Sequence, residues 1–201
     1  MHSLRTPRAI FALALLATAV ATLPASATAD DSSRGARASI RDVNGVFLGS
    51  ITIQSSDGKL VVGGRLSGLT AGFHGFHIHS AGVCDPRAVD PATGAVVPFF
   101  TAGGHLNPGG TGHGNHAGDL PSLKVARDGR TTSVTETDTV TLAQIFDADG
   151  AAFIVHAAPD NFANIPARYT SSTTGLTGPD AATLATGDAG GRFACGIIVR
   201  S

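Results

Sequence analysis

Residues 72–79 have the sequence Gly-Phe-His-Gly-Phe-His-Ile-His, and their alternation is typical of a β-strand. Successive side chains of a strand point to opposite faces of a sheet. Phe76 and Ile78 therefore share a face turned toward a core, and His77 and His79 share the other face. Two imidazoles at positions i and i+2 can reach a single metal ion. For this pair alone, a polar outer face that happens to carry histidine remains the alternative.

The composition around this strand also favours β-structure. The chain has 201 residues, 42% of them apolar, which is enough for one domain with a substantial core and too little for two. The 14 basic residues are balanced by 15 acidic ones, which argues against a nucleic-acid partner, and a single glutamate argues against a coiled coil. With 26 glycines and 10 prolines, the chain is suited to turns and strands. We expect an all-β domain.

Short strand-like runs alternate with turn signals along the chain. Asn44-Gly45, Asp57-Gly58 and Asp128-Gly129 favour hairpin turns, because both central residues of such turns can take positive φ. The predicted strands are 38–42, 46–54, 60–66, 75–79, 123–126, 131–137, 139–143, 152–156 and 194–199. Since some of these nine runs can merge, we expect a sandwich or barrel of about eight antiparallel strands. The long connections 80–122 and 157–191 are predicted to be functional loops.

The start of the chain is typical of a targeting segment. Residues 1–29 combine a positively charged start, an uncharged run at 9–23 and alanines that allow cleavage after Ala27 or Ala29. This organisation predicts a secretory signal peptide, with an uncleaved anchor as the alternative. The uncharged run is short for a membrane-spanning helix, so we expect a protein of the extracellular or cell-envelope space without a stable membrane anchor.

Residues 30–37 are polar and lack apolar periodicity, which predicts a flexible tether before a domain at 38–201. That domain contains two cysteines, Cys84 and Cys195. In an oxidising compartment they are expected to pair, and closing so long a loop would contribute about 4 to 5 kcal/mol. Two free buried thiols are the alternative if the chain is never exported.

The histidines of residues 30–201 fall in three places. They are His74, His77 and His79; His105, His113 and His116; and His156. The second cluster adds Asp119, so that three imidazoles and a carboxylate lie within 15 residues of a glycine-rich segment. Such nitrogen and oxygen donors suit four-coordinate zinc, and the glycines let the backbone turn each donor inward. An imidazole-only group of His77, His79 and His156 suits copper as well. A solvated loop without metal is the alternative.

Several separated motifs together resemble a known family. They are Gly72-Phe73-His74-Gly75-Phe76-His77-Ile78-His79, Gly103-Gly104-His105-Leu106-Asn107-Pro108, His116-Ala117-Gly118-Asp119-Leu120, Val155-His156 and Gly187-Asp188-Ala189-Gly190-Gly191-Arg192-Phe193-Ala194-Cys195-Gly196. In this order they resemble the secreted bacterial type of copper/zinc superoxide dismutase, over about residues 38–200. The resemblance implies a Greek-key β-sandwich or flattened barrel.

The resemblance also implies a role for each matching residue. The copper ligands would be His77, His79, His105 and His156, and the zinc ligands would be His105, His113, His116 and Asp119. His105 would bridge the two metals. His74 would brace the copper strand, and Asp160 would orient copper-side and zinc-side histidines through hydrogen bonds. Cys84 and Cys195 would form the family's disulfide.

One departure from the family concerns the zinc loop. Only Gly114 and Asn115 separate His113 from His116, where the family usually has more residues, so we expect a tighter zinc loop. The second long loop, 157–191, is longer than in many relatives.

The implied activity is conversion of superoxide to dioxygen and hydrogen peroxide by alternating reduction and oxidation of copper. The catalytic residues would be His105, as proton carrier, and Arg192, whose positive charge beside copper would attract the anion. Two other classes remain open, a copper-sequestering module and a structural β-sandwich with an inert site. The apolar segment 96–100 is expected to anchor its loop in the core, or to contribute to a homodimer contact.

Overall fold

The computed structural model describes residues 35–201, and these form a mainly β-stranded domain. The strands are β1 Gly35–Asp42, β2 Phe47–Ser56, β3 Lys59–Leu66, β4 Gly72–His79, β5 Asp119–Val125, β6 Thr131–Thr137, β7 Ala152–His156, β8 Arg192–Ile197 and β9 Val199–Arg200. Two short helices, α1 Leu142–Ile145 and α2 Ala181–Thr186, and a 3-10 turn at Phe100–Ala102 lie in the connections. The predicted signal peptide, residues 1–29, and residues 30–34 of the predicted tether lie outside the described residues.

The strands form one antiparallel sheet that curves into a nearly closed barrel. Its order is β5-β4-β7-β8-β1-β2-β3-β6, and the short β9 pairs with β1. The neighbours β4 and β7, and β8 and β1, are far apart in the chain, so long connections cross the barrel as in a Greek key. The predicted all-β fold of about eight antiparallel strands is confirmed. No helix within residues 35–201 is long and apolar enough to cross a membrane.

The predicted boundary between tether and domain is wrong by three residues. The first strand begins at Gly35, and Ala36 pairs with Ile53 of β2 and with Arg200 of β9. Ala36 is buried, so residues 35–37 belong to the barrel. The small Ala36 side chain suffices to fill its inward position, but it gives no apolar pattern that sequence reasoning can detect.

The predicted strand at 139–143 is also wrong, because this segment leads into α1. The Thr141 hydroxyl accepts a hydrogen bond from the Gln144 backbone N–H, and the Gln144 side chain accepts one from the Thr141 N–H. This reciprocal capping box starts a helix despite the β-branched residues before it. Val140 is buried and holds the segment to the barrel core.

Two of the three predicted turns have a conformation that differs from the expected one. Asp57 and Gly58 both have positive φ, 49° and 79°, and they join β2 to β3 as a two-residue hairpin turn. At the other two turns only the glycines, Gly45 and Gly129, have positive φ. The turn around Gly45 is organised by Asp42, whose carboxylate accepts backbone hydrogen bonds from residues 44 and 46.

The core lies inside the barrel and uses one face of β4. Phe76 and Ile78 are buried there, and the Phe76 ring stacks on Phe153 with centroids 5.2 Å apart. The other face of β4 is covered by the two long loops, residues 80–118 and 157–191. A disulfide between Cys84 and Cys195 joins the first loop to β8, with Cα atoms 5.8 Å apart. These loops enclose the histidines.

Candidate metal centre

The histidine face of β4 is buried rather than turned to solvent. His77 and His79 are 0% and 1% exposed, which excludes a solvent-facing polar strand as the reason for their presence. Their strand pairs with β7, which ends at His156. His79 also forms an isolated β-bridge with His105 of the first loop. The sheet and one loop contact therefore bring four imidazoles together.

These four rings form the copper group, His77, His79, His105 and His156. One ring nitrogen from each lies within 4.8 Å of the others. The rings of His77 and His105 are 4.0 Å apart between centroids, and the Nε2 atoms of His79 and His156 are 3.4 Å apart. Nitrogen donors at such separations suit one copper ion.

A second set of donors forms the zinc group, His105, His113, His116 and Asp119, again within 4.8 Å. Asp119 opens β5, and its Oδ1 atom lies 2.9 Å from His105 Nδ1, 3.2 Å from His113 Nδ1 and 3.3 Å from His116 Nδ1. Three nitrogens and a carboxylate oxygen are a typical zinc donor set. His105 belongs to both groups, since its Nδ1 faces the zinc group and its other nitrogen is left for the copper group.

The short zinc loop closes tightly and keeps His113 in the group. Gly114 has a φ of 88°, and its backbone N–H donates to Asp119 Oδ2 at 2.7 Å. The N–H of His116 donates to the same oxygen at 3.0 Å. Asp119 thus accepts from the loop backbone with one oxygen and faces the three rings with the other. With two residues between His113 and His116, the loop brings both rings to Asp119.

Two ring nitrogens show that these groups fit metal ions. Within residues 35–201, His77 Nδ1 and His113 Nδ1 are the buried side-chain polar atoms without a hydrogen-bond partner. Leaving a buried polar atom unpaired costs free energy, and a metal ion in each group would give each of these two atoms a partner. One of these atoms belongs to the copper group and the other to the zinc group. The residues present therefore fit copper and zinc.

Backbone carbonyls orient the other copper-group rings. His79 Nδ1 donates to the Gly103 carbonyl at 2.9 Å, and His156 Nδ1 donates to the Gly190 carbonyl at 3.0 Å. Each bond leaves the Nε2 atom facing the copper group. Sequence reasoning missed these two contacts, because a carbonyl carries no residue-type signal. In the sequence, these contacts were indicated only by the glycines of the two loop motifs.

Asp160 lies between the two groups and contacts both. Its Oδ2 accepts from His77 Nε2 at 2.7 Å, and its Oδ1 accepts from His113 Nε2 at 2.8 Å. The backbone N–H of Phe162, a residue with a φ of 55°, donates to the same Oδ1 at 2.7 Å. Each ring donates its Nε2 proton to Asp160, so its unpartnered Nδ1 faces a metal group. The bridge expected from the resemblance is thus present in the geometry.

His74 lies behind the copper group and ties β4 to its surroundings. Its Nδ1 is 2.7 Å from the His156 carbonyl oxygen, and its Nε2 is 2.8 Å from the Thr70 carbonyl oxygen. The ring is buried and is absent from all three clusters of metal-ligating side chains in the described residues. It braces the strand that carries two copper-group rings.

The histidine pKa values differ between the copper side and the zinc side of the centre. Burial lowers the pKa of His77 to about 4, although the hydrogen bond to Asp160 opposes this, and burial lowers the pKa of His156 to about 3. Burial also puts the pKa of His79 well below its ordinary value. These rings are neutral at pH 7, the form in which imidazole binds a metal.

The zinc group and the adjoining Asp160 together hold two ionised carboxylates and a protonated ring. Burial opposes charge on His113, but the nearby negative charges of Asp119 and Asp160, together with the hydrogen bond to Asp160, outweigh it and raise the pKa of His113 to about 9. Burial likewise opposes charge on both carboxyls. The hydrogen bond from His105 and the nearby His113 nevertheless hold the pKa of Asp119 well below its ordinary value, and hydrogen bonds from His113 and His77 do the same for Asp160. Burial lowers the pKa of His116. Without metal, a proton on His113 compensates the negative charge here.

Arg192 lies at the copper side and is held by the first loop. Its guanidinium donates to the carbonyls of Phe99 and Gly103, the second at 2.6 Å. The Gly103 carbonyl is the one that orients His79, so the cation lies beside the copper group. Phe99 is buried and anchors the loop, as expected for segment 96–100. Arg192 pins this loop through carbonyls, and burial lowers its pKa.

Comparison with known proteins gives a consistent match. A family model described as copper/zinc superoxide dismutase (SODC) matches residues 47–198. The chain is 51% identical over 131 residues to a superoxide dismutase [Cu-Zn] of Mycolicibacterium paratuberculosis, covering 65% of this chain and 57% of that relative. It is 43% identical over 178 residues to the superoxide dismutase [Cu-Zn] of Mycobacterium tuberculosis, covering 88% of this chain and 69% of the relative.

Solved structures with this fold include the Cu/Zn superoxide dismutase from Brucella abortus. Its TM-score is 0.61 at 28% identity, covering 81% of this chain and 98% of that one. A SOD-like protein from Bacillus subtilis matches with a TM-score of 0.58 at 29% identity, covering 80% of this chain and 95% of that one. With the two ligand groups joined at His105, these matches lead to one conclusion: the chain belongs to the copper/zinc superoxide dismutase family.

Proposed function

We propose that this chain is a superoxide dismutase that converts superoxide to dioxygen and hydrogen peroxide. The observation that carries the proposal is His105, one ring shared by an all-imidazole group and a mixed nitrogen and oxygen group. Family membership supports the same activity. A site that only stored copper would need no second group joined to it through the same ring.

His77, His79, His105 and His156 would hold copper, and His105, His113, His116 and Asp119 would hold zinc. Bound copper supplies one-electron redox chemistry, which zinc cannot supply. The chain holds the copper-facing nitrogens of its rings in fixed directions through Gly103, Gly190 and Asp160. Because His77, His79 and His156 are buried and neutral before metal uptake, little rearrangement of these rings is needed.

Arg192 would attract and orient the anion. The guanidinium has five N–H donors, and Phe99 and Gly103 engage two of its nitrogen atoms, so donors remain for superoxide. The whole chain has a net charge of −1, so the attraction must come from this local positive charge. The two loop carbonyls fix where the charge lies.

His105 would supply a proton to the product. Peroxide leaves as a neutral molecule only after it gains two protons, so a proton carrier is needed beside the copper group. His105 Nδ1 is fixed against Asp119, which leaves Nε2 as the atom that takes up and releases a proton. The zinc group would hold the ring at Nδ1 while Nε2 changes its protonation state.

The location and assembly of the chain are further parts of this proposal. The Cys84–Cys195 disulfide supports folding in an oxidising compartment, so we infer that residues 1–29 direct the chain to the extracellular or cell-envelope space. Val96 and Phe100 are 62% and 36% exposed beside the buried Phe99, a pattern compatible with a homodimer contact. Light scattering of the purified chain tests the dimer.

Pulse radiolysis of superoxide decay tests the activity, with copper and zinc counted in the same sample. The proposal expects fast decay that disappears when copper is removed and returns when copper is restored. Tight copper binding without decay of superoxide would reject it in favour of a copper-sequestering module. A zinc content near one per chain would support the zinc assignment, including His113.

A further inference from the structure

The second long loop reaches the zinc group through α2. This helix begins after Asp180, whose Oδ1 accepts hydrogen bonds from the N–H groups of Ala182 and Thr183, each at 3.1 Å. It ends at Gly187, which has a φ of 60° and donates its N–H to the Thr183 carbonyl. This left-handed glycine terminates the helix.

The end of α2 contacts His113 from two directions. The backbone N–H of His113 donates to the Leu184 carbonyl at 2.7 Å. The Gly187 Cα lies over the hydrogen bond between His113 and Asp160, where a Cβ would overlap both His113 Nε2 and Asp160 Oδ1. The only side chain that fits between α2 and this pair is the hydrogen of glycine.

Apart from its contacts within the metal centre, His113 is held mainly by the second long loop. It lies outside all strands and helices, between Gly112 and Gly114, and only two residues separate it from His116. Its ring is oriented by Asp160 and its backbone by Leu184, both of which belong to the second long loop. The position of this ring therefore depends on how closely the end of α2 approaches it.

We propose that Gly187 is a positioning residue for the zinc group. Because Gly187 has no side chain, the end of α2 can pack directly against the Asp160–His113 hydrogen bond. This packing keeps His113 Nδ1 directed at Asp119. Gly187 acts through His113 and Asp160 and belongs to neither metal group. The inference rests on the proposed function in one respect, that this group takes zinc.

A pair of glycine variants separates this role from backbone strain. Gly187→Ala adds a Cβ at the crowded position. Gly175→Ala is the matched control, because Gly175 lies in the same loop with a similar φ of 69° and has no neighbouring atom within 4 Å of its Cβ position. Any destabilisation by alanine in a left-handed conformation is common to both variants, and only Gly187→Ala disturbs the Asp160–His113 pair.

Metal-free full-length protein is titrated with zinc against a chromophoric chelator, and separately with copper. Zinc affinity is expected to fall at least tenfold in Gly187→Ala, the order found when a hydrogen-bond partner of a metal ligand is disturbed, and by less than about twofold in Gly175→Ala. Copper affinity is expected to change by less than about threefold, because His79 and His156 keep their carbonyl partners. With cobalt in place of zinc, the visible spectrum of Gly187→Ala is expected to differ from that of the wild type.

A second pair of variants keeps the proposal testable if Gly187→Ala does not fold. Asp180→Ala removes the cap of α2 without adding atoms near the site, and Asp180→Asn preserves a capping side chain. Zinc affinity is expected to fall by about threefold in Asp180→Ala, less than for a direct partner of the ligand, and to return in Asp180→Asn.

Three results would overturn the inference. Equal zinc affinity in Gly187→Ala and the wild type would do so, as would equal losses in the two glycine variants, or no loss in Asp180→Ala. In each of these cases the wild-type chain still binds zinc and the proposed function stands. A wild-type chain that takes up no zinc would reject the zinc assignment and this inference together.

Discussion

The copper group and the zinc group share His105 but have different supports. Three of the four copper-group rings lie on or beside paired strands, with two on β4 and one at the end of β7. In the zinc group only Asp119 lies in a strand, and the three rings lie in a glycine-rich loop. Backbone pairing thus builds the first group, whereas two carboxylates, Asp119 and Asp160, and contacts between loops organise the second. The difference predicts a copper group that keeps its shape without metal and a zinc group that depends on its partners.

The largest expected effect comes from removing one ligand from each group. His79→Ala removes a proposed copper ligand, and His116→Ala removes a proposed zinc ligand of similar burial. We expect superoxide decay to fall by more than about 100-fold in His79→Ala, since even the loss of an outer hydrogen-bond partner costs 10- to 100-fold. His116→Ala is expected to lose zinc while retaining copper and measurable decay. Metal analysis and pulse radiolysis check both, and equal losses of activity would contradict the division into two groups.

Asp160 provides the next test, because it is the side chain that contacts a ring in each group. Asp160→Asn replaces one accepting oxygen by an NH₂ group, so His77 and His113 cannot both keep their hydrogen bonds. We expect zinc affinity to fall by about 10- to 100-fold and copper affinity to fall less, because His79 and His156 retain backbone acceptors. Competition titrations measure both affinities. Equal loss at the two groups would show that strand pairing does not protect the copper group.

Arg192 tests whether the copper side alone guides the anion. Arg192→Ile removes the positive charge and both hydrogen bonds to the loop, whereas Arg192→Lys keeps a charge. Superoxide decay is expected to slow about tenfold in Arg192→Ile and to lose most of its ionic-strength dependence, with a smaller change in Arg192→Lys. Pulse radiolysis at several salt concentrations measures this. Unchanged kinetics in Arg192→Ile would remove the guiding role.

The smallest effect is a difference in proton release. At pH 7 His77, His79 and His156 are already neutral, so these three rings release almost no protons when copper binds. Zinc uptake displaces the proton of His113, whose raised pKa is about 9, so about one proton is released at pH 7 and almost none well above pH 9. Calorimetry in buffers of different ionisation enthalpy counts these protons. Equal release by the two metals would contradict the charge difference between the groups.

The same pKa shifts predict how the stability of the metal-free chain changes with pH. Because the pKa of folded His113 is raised, its contribution is fully present below its ordinary value of 6.5 and is lost as the pH rises through 9. For His77 the folded pKa is lowered to about 4, so stability is lost as the pH falls from 6.5 toward 4. Urea unfolding at several pH values is expected to show lower stability on both sides, and a flat profile would contradict both shifts.

Local sequence patterns were enough to predict those parts of the fold that depend on local chemistry. Alternation along β4 predicted its buried core face, and the Asp57-Gly58 signal predicted its hairpin turn correctly. The predicted strand at 139–143 failed because Thr141 and Gln144 form a capping box that outweighs β-propensity. At Gly35 the strand began earlier than predicted, because pairing with β2 and β9 needs no apolar pattern.

Prediction of the metal centre was limited in a different way. The candidate ligands carry side chains of recognisable chemistry, so their types and spacing marked them. The groups that orient these ligands carry no such signal. The carbonyls of Gly103 and Gly190 belong to the backbone, and every residue type has one. The approach of Gly187 to His113 joins residues that are 74 positions apart, 187 less 113, and only the fold brings them together.

The Cys84–Cys195 bridge makes completion of the site depend on the compartment in which the chain folds. Cys195 follows Arg192 by three residues, and Cys84 belongs to the loop whose carbonyls at Phe99 and Gly103 hold that guanidinium. In reducing surroundings the barrel strands can still pair, but the loop loses its covalent attachment to β8. Without the bridge, Arg192 forms its hydrogen bonds to these two carbonyls only while the loop lies against β8. Oxidation of the two thiols therefore fixes the position of the Arg192 charge, which we propose guides the anion.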